Sequence, residues 1–216
     1  MNHFETQVNQ AIDTIAAVAT PHGRGGIAVI RISGPSVQTI GKDLLGHLPK
    51  TRYAEYLSFL AADRTTIDEG LAIYFQAPNS FTGEDVLELQ GHGGPVIANC
   101  LLQRVLQLGA RLARPGEFSE RAFLNSKLDL VQAEAISDLI DAESEQAARA
   151  AIRSLQGEFS KRIDGMREAL IALRMCLEAS IDFSDETIDV LKDSELKRKL
   201  NAILVDIREI KNLAKQ

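Results

Sequence analysis

Two ionisable side chains sit where charge is costly. Arg31 lies inside the run Ile27-Ala28-Val29-Ile30-Arg31-Ile32, which is rich in β-branched residues and preceded by glycines. Such a run reads as a strand. With a side-chain period of 2, Arg31 shares a face with Ile27 and Val29. A guanidinium on an apolar face needs an anion, because an isolated buried charge is strongly disfavoured. That anion is either a carboxylate of the chain itself or an acceptor on a ligand. Glu88 poses the complementary question from the run Val86-Leu87-Glu88-Leu89-Gln90, with Val86 and Gln90 on its side and Leu87 and Leu89 opposite. A carboxylate held this way can accept two parallel hydrogen bonds from a planar N–H/NH2 edge, such as the 2-amino-4-oxo edge of a pterin or of guanine. The competing reading is that Arg31 and Glu88 simply neutralise one another.

Three further patterns carry possible chemistry. A basic run, Arg104, Arg111, Arg114, Arg121 and Lys127, is threaded through a turn-rich segment. It is either a seat for a polyanionic tail or RNA phosphate, or a solvated face. Pro21-His22-Gly23-Arg24-Gly25-Gly26 fits a loose dinucleotide fingerprint only formally, because that fingerprint opens a helix and this stretch opens a strand. Its glycines read instead as a tight turn or a close approach to a ligand. The Gly-rich turn ending at Gly93-Gly94 opens a helix, a place where anions bind but where glycine more often only makes a turn. A phosphate-binding P-loop fails at its one candidate, Gly41-Lys42, where Ser36 and Asp43 stand in place of the required Gly and hydroxyl.

Strands and helices must position these groups. Thr14 to Ala19, Ile27 to Ile32, Leu71 to Phe75 and Val86 to Gln90 read as strands, and Ser36 to Leu48 and Val96 to Leu108 as amphipathic helices. Without a strict βαβ alternation this mixture predicts an α+β domain. Near residue 129 the strand signal ends. Asp129 and Gln132 resemble a capping box. The apolar series Ala148, Ile152, Leu155, Phe159, Ile163, Met166, Leu170, Leu173, Leu177 predicts one face of one long helix. Ile181 to Asp185 reads as a break, and Leu196, Leu200, Ile203, Ile207, Ile210 as a second helix, giving an antiparallel hairpin. The chain is divided on this basis into 1–125 and 126–216. The last helix runs to Gln216 without a terminator, which reads either as a helix that simply ends at a C-terminus or as a chain cut inside a longer protein.

Composition narrows the function classes. The 216 residues are 45% hydrophobic and 25% charged, with a formal net charge of −6, so a wholly basic nucleic-acid surface is excluded and any RNA contact must be local. Cys100 and Cys176 make no disulfide framework or CxxC pair, and His3, His22, His47 and His92 show no HExxH spacing, so no zinc site is expected. The N-terminus does not read as a signal peptide and no run approaches the roughly 18 apolar residues of a membrane span, so a cytoplasmic location without a membrane partner is expected.

Three blocks carry a resemblance. Thr20-Pro21 through Gly34, Asn79-Ser80-Phe81-Thr82-Gly83-Glu84-Asp85 through Gly94, and Arg114-Pro115-Gly116-Glu117-Phe118-Ser119-Glu120-Arg121-Ala122-Phe123 continuing to Lys127-Leu128-Asp129-Leu130 stand in order. With Ala133-Glu134-Ala135-Ile136 and Leu155-Gln156-Gly157, they resemble the bacterial tRNA modification GTPase family MnmE, also called TrmE. The resemblance implies an N-terminal domain similar to the folate-binding domain of aminomethyltransferases, binding formyl- or methylene-tetrahydrofolate and forming a homodimer, followed by the first part of an all-α helical domain. It places Arg31, Glu88 and Lys127 at the family's folate-contacting positions. It further implies work with the flavoprotein MnmG on the wobble uridine of tRNA, driven by GTP hydrolysis. GTP, Mg2+ and K+ would belong to a G domain, and a further folate contact and a terminal Cys-x-Gly-Lys to segments, that are not in this sequence. On that reading these 216 residues alone carry no catalytic residue and hydrolyse no GTP. A free-standing folate-dependent aminomethyltransferase and a non-catalytic helical scaffold are the alternatives.

Overall fold

The structure, a computed structural model, describes residues 13–182 and 191–213. The chain divides into two compact units between Leu128 and Asp129. Among the described residues of the first unit a mixed sheet of six strands is formed in the order β3-β4-β5-β2-β1-β6. Its strands are β1 (Ile15–Val18), β2 (Ile27–Ser33), β3 (Ala54–Leu60), β4 (Thr66–Phe75), β5 (Val86–His92) and β6 (Arg111–Leu112). All neighbours are antiparallel except β1 and β6. Helices α1 (Val37–Leu45), α2 (Pro95–Gln107) and α3 (Glu117–Leu124) complete the unit. The α+β class expected from the sequence is what the two units form.

The period of 2 sorts each strand between two faces. Ala28, Ile30 and Ile32 of β2 and Leu87 and Leu89 of β5 enter a core shared with Val37, Ile40 and Leu44 of α1 and Leu101 and Val105 of α2. Ile27, Val29 and Arg31 of β2 and Glu88 and Gln90 of β5 therefore lie on the opposite face. That second face carries Arg31 and Glu88 among apolar neighbours, as the alternation requires. Exposed Tyr56 of β3 and Leu71 of β4 face each other across the ladder, and Leu71 in turn opposes Gln90.

Two whole strands, β3 and the two-residue β6, and the first half of β4 escape the sequence pattern. β3 alternates weakly, and the first half of β4 contains Asp68-Glu69-Gly70, residue types depleted in strands. Packing explains Gly70: a Cβ there would stand 2.0 Å from the Gln90 carbonyl oxygen. The close approach of the neighbouring strand β5 selects the glycine that conceals β4.

The second unit is helical: α4 (Leu130–Ile140), α5 (Glu145–Leu155), α6 (Glu158–Asp182) and α7 (Leu191–Leu213). The capping box forms, with the Asp129 side chain accepting from Gln132 N at 2.8 Å and the Gln132 side chain accepting from Asp129 N at 3.0 Å. Gln132 Nε2 also donates to the Leu155 carbonyl at 2.9 Å, capping the end of α5. The single helix expected across Ala148 to Leu177 is corrected: α5 stops at Leu155, Gly157 adopts φ +75°, and α6 begins at Glu158. The apolar spacing stays in phase across this turn, so periodicity registers no break. Helices α6 and α7 run antiparallel, with Lys199 Nζ 3.4 Å from Cys176 Sγ and buried Leu173 and Ile203. The helix α6 continues through Asp182, and the rest of the expected break at 183–185 lies outside the described residues. Among the described residues no helix is long and apolar enough to cross a membrane.

Gly70→Ala should destabilise the first unit by about 1–3 kcal/mol, the usual range for overpacking, and so lower its urea midpoint, because a backbone atom cannot step aside cheaply. An unchanged midpoint would show that β4 and β5 do not approach as described.

Candidate functional site

The antiparallel register of β2 and β5 sets Arg31 directly opposite Glu88. Arg31 Nε donates to Glu88 Oε1 at 2.8 Å, and its terminal NH2 lies 2.8 Å from the same oxygen. The pair is not sealed: the Arg31 side chain is 27% exposed and that of Glu88 17%. The Arg31 guanidinium lies over the Phe81 ring, 5.1 Å from its centroid, and over the Phe118 ring at 5.7 Å. An arginine held against two aromatic rings keeps a fixed plane. Phe81 comes from the loop between β4 and β5, and Phe118 from the first turn of α3.

Lys127 follows α3 through a turn in which Lys127 N donates to the Ala122 carbonyl at 2.8 Å. Its Nζ donates to the Pro78 carbonyl at 3.0 Å. Gly83, at φ +78°, lies against the Lys127 stem, and Asn125 Nδ2 donates to the Thr82 carbonyl at 2.7 Å. The loop 78–84 is thus held by Lys127 through Pro78 and packs on Arg31 through Phe81. Of the three residues expected to act together, Arg31 and Glu88 are in direct contact and Lys127 joins them through this loop.

The basic run does not form one cationic strip. Arg111 donates to both oxygens of Glu117 and to Asp13, and Arg114 to Glu120 at 2.9 Å. Arg104 donates to the Leu60 carbonyl at 3.3 Å. Arg121, its side chain only 12% exposed, donates to Asp13, Glu84 and Glu117 together. Glu117 is 2% exposed and carries the densest set of donors. Its hydrogen bond from Arg111 is the main cause of a pKa pushed down to about 2, against the opposing effect of burial, with the Arg114 N–H and Arg121 adding to the fall. Arg111 and Arg121 commit their donors to carboxylates rather than leaving them for a phosphate, Arg111 from an exposed position and Arg121 from a largely buried one.

Sequence reasoning passed over Asp13, Glu84 and Glu117. The i, i+4 spacing of Glu117 and Arg121 is a legible helical pair. Nothing in the sequence joins Arg121 to Asp13, 108 positions away. The Gly-rich stretch at 21–26 borders a cavity of about 450 Å³ lined in part by Val18, Pro21, Arg24, Gly25, Pro95 and Leu102. Arg31, Glu88 and Lys127 do not line it.

Residues 14–127 match the family described as "GTP-binding protein TrmE N-terminus", and residues 130–216 match the "MnmE helical domain". The chain belongs to the TrmE/MnmE family. Over 205 residues it is 60% identical to the "tRNA modification GTPase MnmE" of Yersinia pseudotuberculosis serotype O:1b (strain IP 31758) and to that of Yersinia pestis bv. Antiqua (strain Angola). Each alignment covers 94% of this chain and 45% of the relative, so the chain spans about half the length of the curated relatives it matches. The junction between the two family matches falls at the division between the two compact units.

Because Glu117 is held ionised in the fold, its contribution to stability is present above about pH 4.5 and is lost as pH falls towards 2. Thermal melts between pH 7 and pH 2.5 should show Glu117→Gln destabilised at neutral pH by about 3 kcal/mol and nearly level with the unmodified chain at the acid end. Equal destabilisation at both ends would mean that ionisation of Glu117 is not what holds the network.

Proposed function

We propose that this chain is the tetrahydrofolate-binding and dimerising part of a GTPase that modifies the wobble uridine of tRNA in the cytoplasm. In that reading the first unit takes formyl- or methylene-tetrahydrofolate, and the second contributes the first helices of the helical domain. The relatives are called tRNA modification GTPases, and their remaining length is where GTP, Mg2+ and K+ would be handled. The flavoprotein MnmG and tRNA are the partners of the whole protein in this reading. The bound folate supplies a one-carbon unit.

The observation that carries the proposal is the Arg31–Glu88 pair, half-open on the sheet face away from the core. Glu88 accepts from the donor edge of the pterin, whose two N–H groups match the two oxygens of a carboxylate. Arg31, fixed in plane by Phe81 and Phe118, donates to the acceptor side. Lys127, with an exposed ammonium beside the same loop, faces the carboxylates of the glutamate tail. The donor set fits the group, since one anion and two cations answer one donor edge and an anionic tail. Dimerisation draws support from Ile27, Tyr56 and Leu71, exposed apolar side chains on that same face. The scaffold alternative leaves the partial exposure of both charges without a purpose. A free-standing transferase leaves the second unit without one.

Titration calorimetry with 5-formyl-tetrahydrofolate should give saturable heat, and Glu88→Gln should weaken binding by roughly 10–100-fold, since an amide donor then faces donors. Equal affinity of the variant would refute the pterin assignment. Sedimentation equilibrium should show a dimer, and a monomer at the highest concentrations would contradict the dimerising role.

A further inference from the structure

Arg121 stands at the junction of three segments of the first unit. Its NH1 donates to the Asp13 backbone carbonyl at 2.8 Å and to the Glu84 oxygens at 3.1 and 3.2 Å. Its NH2 donates to Asp13 Oδ1 at 2.5 Å and to Glu117 Oε1 at 3.2 Å. Asp13 immediately precedes the residues that lead into β1, Glu84 belongs to the loop before β5, and Glu117 and Arg121 belong to α3. Glu84 extends the knot, since Ser33 Oγ at the end of β2 donates to its Oε2 at 2.7 Å. Ser33 Oγ also lies 2.6 Å from Thr82 Oγ1, and both residues are fully buried.

Two of these segments carry the rings that hold Arg31. Glu84 is three residues from Phe81 on one loop, and Arg121 is three residues from Phe118 on one helix. The same guanidinium that fixes Glu84 is therefore rigidly attached to the element bearing Phe118. The loop between β4 and β5 forms no strand of its own to define it. Much of its position comes from side-chain bonds, with Lys127 donating to the Pro78 carbonyl, Arg52 to the Asn79 carbonyl and Asn125 to the Thr82 carbonyl, and the Arg121–Glu84 link is the ion pair among them.

We infer that Arg121, through Glu84, is the positioning residue of the candidate site: it sets the spacing of the Phe81 and Phe118 rings about Arg31 and thereby the affinity for a reduced folate it does not touch. This rests on the folate reading above. Lysine in its place keeps the charge but lacks the forked guanidinium, and cannot bridge three carboxylates and a carbonyl from one planar group.

The test is a double-mutant cycle on 5-formyl-tetrahydrofolate affinity in the full chain, with the Arg31 Nε–H resonance followed by NMR in the absence of folate. Arg121→Lys should weaken binding about tenfold in the native background and by less than about twofold on top of Phe81→Ala, because both act through one ring. It should also shift the Arg31 Nε–H resonance, which the two ring currents govern. General destabilisation would give the same loss in both backgrounds, and that result overturns the inference. So does native affinity with an unmoved resonance in Arg121→Lys while Glu88→Gln has lost binding. If the unmodified chain binds no folate, the folate reading falls and the positioning of affinity falls with it, while an unmoved resonance refutes the ring spacing separately. Should Arg121→Lys fail to give a cooperative melt, Glu84→Gln, which can still accept from Ser33, runs the same cycle with the same expected result.

Discussion

Opposite charges placed face to face on two antiparallel strands are the constraint from which the first unit is built. Arg31 and Glu88 are brought together by the β2–β5 register, and that register is set by the apolar residues between them. Ile30 and Ile32 of β2 and Leu87 and Leu89 of β5 point to the core, so a slip of β5 by one residue would drive Glu88 inward and turn Leu87 and Leu89 out of the core. Burial of the core face therefore fixes the charges on the other face, at no separate cost in local geometry. Each member keeps access to solvent, which the folate reading requires if either is to exchange its internal partner for one on a ligand.

Around the pair the molecule arranges two layers of support. The nearer consists of rings, Phe81 and Phe118, which fix the guanidinium plane. The farther is ionic, with Arg111 and Arg121 drawing Asp13, Glu84 and Glu117 together from distant parts of the chain. Ion pairs at a surface contribute little, but a carboxylate 2% exposed with several donors is another matter. The ionic layer stands where loops and short elements meet and where the strand ladder gives no order. It takes the place that backbone hydrogen bonds take elsewhere in the sheet.

Much of this was legible in the sequence, and the exceptions have physical causes. Strands β1, β2 and β5 announce themselves because each carries a short run of apolar, largely branched side chains and the ends of β2 and β5 are marked by glycines. The half of β4 around Asp68-Glu69-Gly70 does not, because the close approach of its neighbour β5 at Gln90 demanded glycine where a strand would otherwise carry a branched side chain. The turn at Gly157 is hidden for the opposite reason, since the apolar rhythm runs through it undisturbed. Arg31 and Glu88 stood out because each was a charge in the wrong company. Arg121 did not, because an arginine on a short exposed-looking helix is ordinary until its partners, 37 and 108 positions away, are known. Chemistry that depends on local contrast can be read from the chain, whereas chemistry that depends on convergence needs the fold.

The most direct measurement is a crystal structure of the chain grown with 5-formyl-tetrahydrofolate. The pterin ring should lie on the sheet face away from α1 and α2, its N–H/NH2 edge within hydrogen-bond distance of the Glu88 carboxylate and its glutamate tail towards Lys127. Electron density for the folate in the cavity beside Gly25 and Pro95, with the Arg31–Glu88 contact intact, would contradict it.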